Sequence, residues 1–576
     1  MDRHLGRVAT DVLVVGSGGA GLRAALAAHD EGAKVVLVSK GLLRMSHTRM
    51  SGGRFQAVTG FDPEDSRDLH FKDTMAGGAY LNNPELVQTL VDDSLDRAYD
   101  LEDFGLIWGR VDDTEYRVVG VGGGTRLRLL GAQDEGVGIA ETLINQMFAR
   151  DIPYLEYVMA IELLMVGSRV AGAIGYDLLN GGWVVIEAQT VILATGGASQ
   201  LYATNSGPIL NSGDGLGMAF RAGAELIDME FFQYIPISFV YPQSIRGYTL
   251  LEPQYYGRRH WDVDGEPGHL LNIEGERFMK RYDPERMESG TRDVLAQAIF
   301  SEIRAGRGTP EGGVYLKADK SIQEIFLKER PMYVRRILEN YGPGTARFDD
   351  PLQVTPSALY TVGGVRIDAN GRTSIDNLFA AGEVSGGVHG ANRVGGNSLP
   401  DIQVFGFRAG KAAAQMALAG RNPAGQDLDK PADDVVKRAA RRVQPIGRNG
   451  ATRVAQVKKR IQEMMWDHVG VIRDGAGLAE TLDRLSGLRK SIDNGIQISA
   501  VKTLNRELQE YFEIDNLLDV ASVMTSAANF REESRGAHFR SDFPEVRDEW
   551  ACNIVVQNQN GEPSLRKRGL KYAKAS

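Results

Sequence analysis

TDVLVVGSGGAG, residues Thr10 to Gly21, places a short apolar strand, Val12 to Val15, directly before a glycine turn and an Ala/Leu-rich helix, Leu22 to His29. Gly16, Gly18 and Gly21 form G-x-G-x-x-G in the setting that gives this motif meaning. Gly16 permits the tight turn, Gly18, with Gly19 beside it, lets backbone amides approach a pyrophosphate, and Gly21 lets the helix pack on the strand. The diphosphate then rests on the helix N-terminus. With 68 glycines in the chain, the triplet alone would say little. The strand Lys34 to Ser39, following at βαβ spacing, makes this an α/β, Rossmann-like dinucleotide-binding fold.

One feature departs from the nicotinamide pattern. The second strand of such a unit ends in Asp or Glu, which holds a ribose hydroxyl, whereas VVLVSKG ends in Ser39-Lys40. A loop follows that carries Ser46, His47 and Thr48, then Ser51 and the pair Gly52-Gly53. A loop histidine by itself is ordinarily polar surface.

With its Ser-Lys strand end and a Ser-His-Thr at the matching distance, the chain resembles the flavoprotein subunits of succinate dehydrogenase and fumarate reductase. The resemblance implies FAD as cofactor, bonded covalently through His47 to the flavin 8α carbon. The Gly-Gly pair stands about one residue early relative to the family. Further motifs carry the resemblance from about Thr10 to Trp550: the strand Thr190 to Gly197 ending in Ala-Thr195-Gly196-Gly197, the helix start around Asp214, Glu383, the run Val388 to Leu399, and Ser534 to His538. By position, Glu383 inherits contact with the flavin ribitol. Asn397, Ser398 and Leu399 pack against the ring system, and Arg393 binds a substrate carboxylate. Independently of resemblance, a helix N-terminus beside the flavin pyrimidine stabilises its anionic reduced form.

Composition bounds the alternatives. A chain of 576 residues, 43% hydrophobic and 24% charged, is expected to form two to four soluble domains. Its net charge of -9, with basic residues scattered, argues against nucleic acid as a partner. Cys552 is the only cysteine, so the chain has neither a disulfide nor a cysteine-held cluster of its own, and no metal site is expected. Iron-sulfur centres would come from a partner protein, as the resemblance implies. The N-terminus lacks an apolar signal region and no run reaches membrane-spanning length. A cytoplasmic protein is expected, reaching the inner face of a membrane only through partner subunits.

Along the chain, Asp62 to His70 reads as turn-rich, Asn83-Pro84-Glu85 opens a long amphipathic helix to about Gly105, and Gly138 to Arg150 a second. Tyr157 to Tyr176 and Trp183 to Ala188 read as paired strands. From Phe239 to Asp350 the pattern becomes short, aromatic and charged, an inserted capping domain expected to close over the flavin. The expected division is 1–238 and 351–418 for the FAD-binding domain, 239–350 for the cap, 419–545 for a C-terminal helical domain, and 546–576 for a C-terminal tail, basic and solvated after Gly561.

The substrate residues are where the chain parts from the resemblance. Gly290-Thr291-Arg292-Asp293 keeps the arginine that serves the family as proton donor, and Glu252 keeps its relay partner. Tyr255 replaces a second relay arginine. A family His-Pro-Thr becomes Ile235-Pro236-Ile237, and a second histidine becomes Leu359. Losing hydrogen-bonding groups disfavours the matching substrate oxygen. A substrate with one carboxylate on Arg393 and an apolar remainder against Ile235, Ile237 and Leu359 is therefore expected, rather than succinate. Three functions stay open: a dehydrogenase or reductase of a carbon-carbon bond with an iron-sulfur partner, a soluble oxidase of the L-aspartate oxidase kind, and an electron relay without substrate chemistry.

Overall fold

The computed structural model of the chain describes residues 6–113, 115–120, 124–250, 252–256, 266–329, 339, 349–420, 434, 437, 452–493 and 496–570. Four consecutive apolar residues suit a parallel strand covered on both faces, and Val12 to Val15 are at most 4% exposed. They end the strand Gly6–Val15, which lies between Val35–Ser39 and Gly182–Leu193 and runs parallel to both. Tyr154–Glu156 extends this seven-stranded sheet on one side. On the other, Arg169–Asp177 and Val158–Val166 form an antiparallel hairpin, and Leu378–Ala380 joins the C-terminal half of 182–193. Helices Gly19–Asp30 and Ser398–Ala419 pack on each other beside the sheet.

The inserted cap is a four-stranded antiparallel sheet of Phe232–Phe239, Leu352–Thr361, Val314–Lys317 and His269–Leu271, with helix Arg292–Glu302 against it. Its core is its own, running from Ile237 and Phe239 through Phe278 and Ile299 to Val354. The strands at 232–239 and 352–361, which the expected boundaries leave with the FAD-binding part, belong to this sheet, because each pairs with the other and one pairs with 314–317.

Beyond residue 452 the chain is helical, in Val454–His468, Gly475–Asp493 and Arg506–Phe530, packed together. Two expectations are corrected. Residues 62–70 are not all turn, since Ser66 caps a helix over Arg67–Gly77 through Leu69 N–H. The basic tail is a strand: Cys552–Gln559 and Glu562–Gly569 form a hairpin joined to Leu226–Ile227. Arg566 and Lys567 do face outward, but over Glu225 and the ring of Trp550. No described helix is long and apolar enough to cross a membrane.

Candidate functional site

The parallel strands end at a cavity of about 360 Å³, where open α/β sheets take their ligands. The glycine turn forms one wall. Gly16 has φ 113°, and a Cβ there would stand 2.2 Å from Ala194 O; a Cβ on Gly21 would stand 1.9 Å from Gly16 O. Gly21 is thus a packing residue, as its place in the motif requires. Helix 19–30 has no side-chain cap and no acid in its first turn, which leaves its positive end open to a diphosphate. These features fit the adenine dinucleotide half of FAD.

Of the residues expected at the cofactor, all line this cavity except Gly21, Gly53 and Asn397. Gly53, with φ 63°, turns the loop against the backbone of Glu135, 2.5 Å from where its Cβ would be. Asn397 is fully buried and faces away: its Nδ2 donates to Thr74 Oγ1 at 3.0 Å and its Oδ1 accepts from His70 Nε2 at 3.0 Å. Burial holds His70 down at about 4, so its ring is neutral. Asn397 therefore anchors the start of helix 398–419, which brings Ser398 and Leu399 to the cavity without a side-chain cap of its own.

Lys40 occupies the place of the missing ribose acid and is tied down by acids instead. Its Nζ lies 2.7 Å from Asp214, 3.2 Å from Glu513 and 2.5 Å from Ser212 Oγ. Burial alone would lower its pKa, but Asp214 and Glu513 outweigh it and raise it. The flavin loop is fixed to the dinucleotide helix where Gly19 N–H donates to Thr48 Oγ1 at 3.0 Å. Ser46 caps the single turn His47–Met50, and His47 lies in the wall with Nδ1 3.2 Å from Glu383 Oε2.

At the far end the cavity is lined by Ile235, Thr249, Arg292, Leu359, Tyr360 and Arg393. Arg292 reaches in from the first turn of helix 292–302, its Nε 2.9 Å and Nη2 2.5 Å from Glu252 Oε1. Arg393 is buried over the ring of Tyr360, 4.7 Å from the centroid, and its Nη2 donates to Gln233 Oε1 at 2.8 Å. Among the described residues no carboxylate lies within 4.0 Å of this guanidinium, and its Nε has no partner. Burial lowers its pKa to about 10, with Arg292 adding to the effect; it remains a cation at neutral pH.

Three findings revise the sequence expectations here. Ile237 is fully buried in the cap's core and does not reach the cavity. Tyr255 lies in the turn Pro253–Tyr256, and its side chain falls outside the described residues. Thr249, Tyr360 and Gln233 belong to the site and were not singled out. Thr249 lies three residues before Glu252, and Gln233 heads the altered Ile235-Pro236 motif. The Ser534–His538 motif lies away from the cavity. There Arg531, with no exposed surface, pairs with Glu230 at 2.7 Å and Glu533 at 2.8 Å, and His538 Nδ1 meets Arg473 at 2.6 Å. It locks the C-terminal segment to the strand turn at Asp228–Glu230.

Comparison with known proteins bears on this geometry. Residues 11–399 match the family described as FAD binding domain, and residues 458–575 match Fumarate reductase flavoprotein C-term. The chain is 41% identical over 558 residues to one of the subunits of "Fumarate reductase (CoM/CoB)" from Methanothermobacter marburgensis, covering 96% of this chain and 98% of that one. Among solved structures, "Quinol-Fumarate Reductase with Menaquinol Molecules" superposes with TM-score 0.90 at 31% identity, covering 99% and 100%. "Mycobacterium smegmatis Sdh1 in complex with UQ1" gives 0.89 at 32%, covering 99% and 95%. Fold and site together define an FAD-dependent oxidoreductase that acts on CH-CH groups. The chain belongs to the family of fumarate reductase and succinate dehydrogenase flavoprotein subunits.

Proposed function

We propose that this flavoprotein oxidises or reduces a carbon-carbon bond beside a single carboxylate, with FAD attached through His47 and electrons exchanged with an iron-sulfur partner. The observation that carries the reading is Arg393: a buried guanidinium without a carboxylate partner among the described residues is costly unless an anion completes it. Gln233 and the Tyr360 ring hold its plane, so the carboxylate it takes is fixed in orientation.

Bound FAD supplies hydride transfer at its N5. Arg292 gives a proton to the carbon opposite in reduction, or takes it in oxidation, and Glu252 on its Nε and Nη2 is placed to restore it. Ile235 and Leu359 exclude water and offer no partner for a second carboxylate. The four-stranded unit acts as the lid of the site. The relative from Methanothermobacter marburgensis is by name one of several chains of its enzyme, and with one cysteine, buried in strand 552–559, this chain cannot ligate a cluster itself; both support a separate iron-sulfur protein.

The test is a steady-state assay with an artificial electron carrier. Unsaturated monocarboxylates are expected to exceed fumarate in kcat/KM by about a hundredfold, since each lost hydrogen bond to a charge is worth about 1.5–3 kcal/mol. Fumarate as the preferred substrate, which the names of the relatives favour, would overturn the altered-pocket reading.

A further inference from the structure

We infer that Glu383 is the positioning residue that prepares His47 for the flavin: its carboxylate accepts a hydrogen bond from Nδ1–H and leaves Nε2 with a free lone pair to bond the 8α carbon. The inference rests on the covalent attachment proposed above. In a neutral imidazole one nitrogen carries the proton, and the hydrogen bond at Nδ1 decides which. Glu383 Oε2 lies 3.2 Å from Nδ1, with the two side chains 7% and 23% exposed.

The carboxylate is itself held. Oε1 accepts Thr361 N–H at 3.1 Å, and Asn211 Nδ2 reaches Oε2 at 3.5 Å. The chain makes room for it at Gly197, where a Cβ would stand 2.2 Å from Oε1. On the histidine side, the cap of Ser46 and the bond from Gly19 N–H to Thr48 fix the backbone on both flanks. The support draws on several segments: the flavin loop, the stretch 194–197 after strand 182–193, Asn211, the strand 352–361 and the turn Gly382–Val384. A carboxylate has about four acceptor positions, so the same Glu383 can still meet a ribitol hydroxyl.

Attachment forms one N–C bond and breaks one C–H bond at the 8α carbon. The carbon's proton leaves to solvent, and two electrons pass into the flavin, from which dioxygen or the holoenzyme's electron acceptor removes them. The alkylated ring, still carrying its Nδ1 proton, is a cation, and Glu383 is placed to neutralise it.

Glu383→Gln tests this in the full chain expressed with FAD. Thr361 N–H keeps the amide oxygen on its side, so the NH2 group faces Nδ1 and donates to it, forcing the proton onto Nε2. The readout is the covalent share of the flavin that is bound, measured by fluorescence after acid denaturation and by intact mass, beside total FAD per chain. Wild type is expected to hold acid-stable flavin, and the Gln variant to bind FAD with that share reduced at least about tenfold. A merely lower affinity would change total FAD and leave the share unmoved, and an unmoved share overturns the inference. If the Gln variant binds no FAD, Glu383→Asp decides: its shorter carboxylate is expected to give mostly releasable flavin, and full attachment there is equally contrary. Wild type without acid-stable flavin would instead refute the covalent reading itself.

Discussion

Arg393 and Arg292 share one cavity and differ in what surrounds them. Arg393 is buried without a counter-ion among the described residues, whereas Arg292 is half-buried and bonded to Glu252. In the function proposed above, the first receives an anion and the second exchanges a proton. Arg393→Ala is expected to cut kcat/KM by roughly a hundredfold or more, from two charged hydrogen bonds lost, with the flavin spectrum unchanged. Arg292→Ala is expected to lower kcat and kcat/KM together while substrate still perturbs the flavin absorbance. Near-normal turnover by Arg292→Ala would place the acid elsewhere. Both arginines were legible in the sequence because their neighbours fix their place in a motif. Ile237 was misread for a local reason: strict alternation puts it on the face of Ile235, but the register shifts between Ile235 and Ser238, and the bulge turns Ile237 into the cap's core.

At the level of elements, helix 398–419 and the turn before it carry most of the site's unusual electrostatics. Asp401, in its first turn, is buried, with Oδ1 unpartnered and Oδ2 3.9 Å from His389 Nε2. Burial raises its pKa from 3.8 to about 7, against the opposing pull of Arg393. The folded state therefore binds a proton that the unfolded chain has released, and this group's contribution to stability falls as pH rises from about 3.8 to about 7. Asp401→Asn removes that slope. Its melting temperature relative to wild type is expected to rise between pH 5 and pH 7, and a difference that stays flat would show Asp401 ionised throughout. The second strand of the tail hairpin was not readable in the sequence, because the charged residues of Glu562–Gly569 leave no apolar run to announce it.

The whole molecule joins three passages of chain around the cavity: the parallel sheet supplies the glycine turn, the cap supplies Ile235, Thr249 and Arg292, and the run after residue 388 supplies Arg393. The α/β class and the cap's presence could be read from the glycine motif and the change of pattern near residue 239. The long-range ties could not, since Lys40 to Glu513 and Glu230 to Arg531 pair residues hundreds of positions apart and leave no local period in the sequence. The function proposed here has a flavin in this cavity exchange electrons with a substrate held by one carboxylate. The direct measurement is anaerobic: reduce the protein-bound flavin, mix it with an unsaturated monocarboxylate or with fumarate, and follow the return of the oxidised flavin spectrum. Reoxidation by the monocarboxylate about a hundredfold faster than by fumarate at equal concentration is the expected result. Rapid reoxidation by fumarate and none by any monocarboxylate would contradict it.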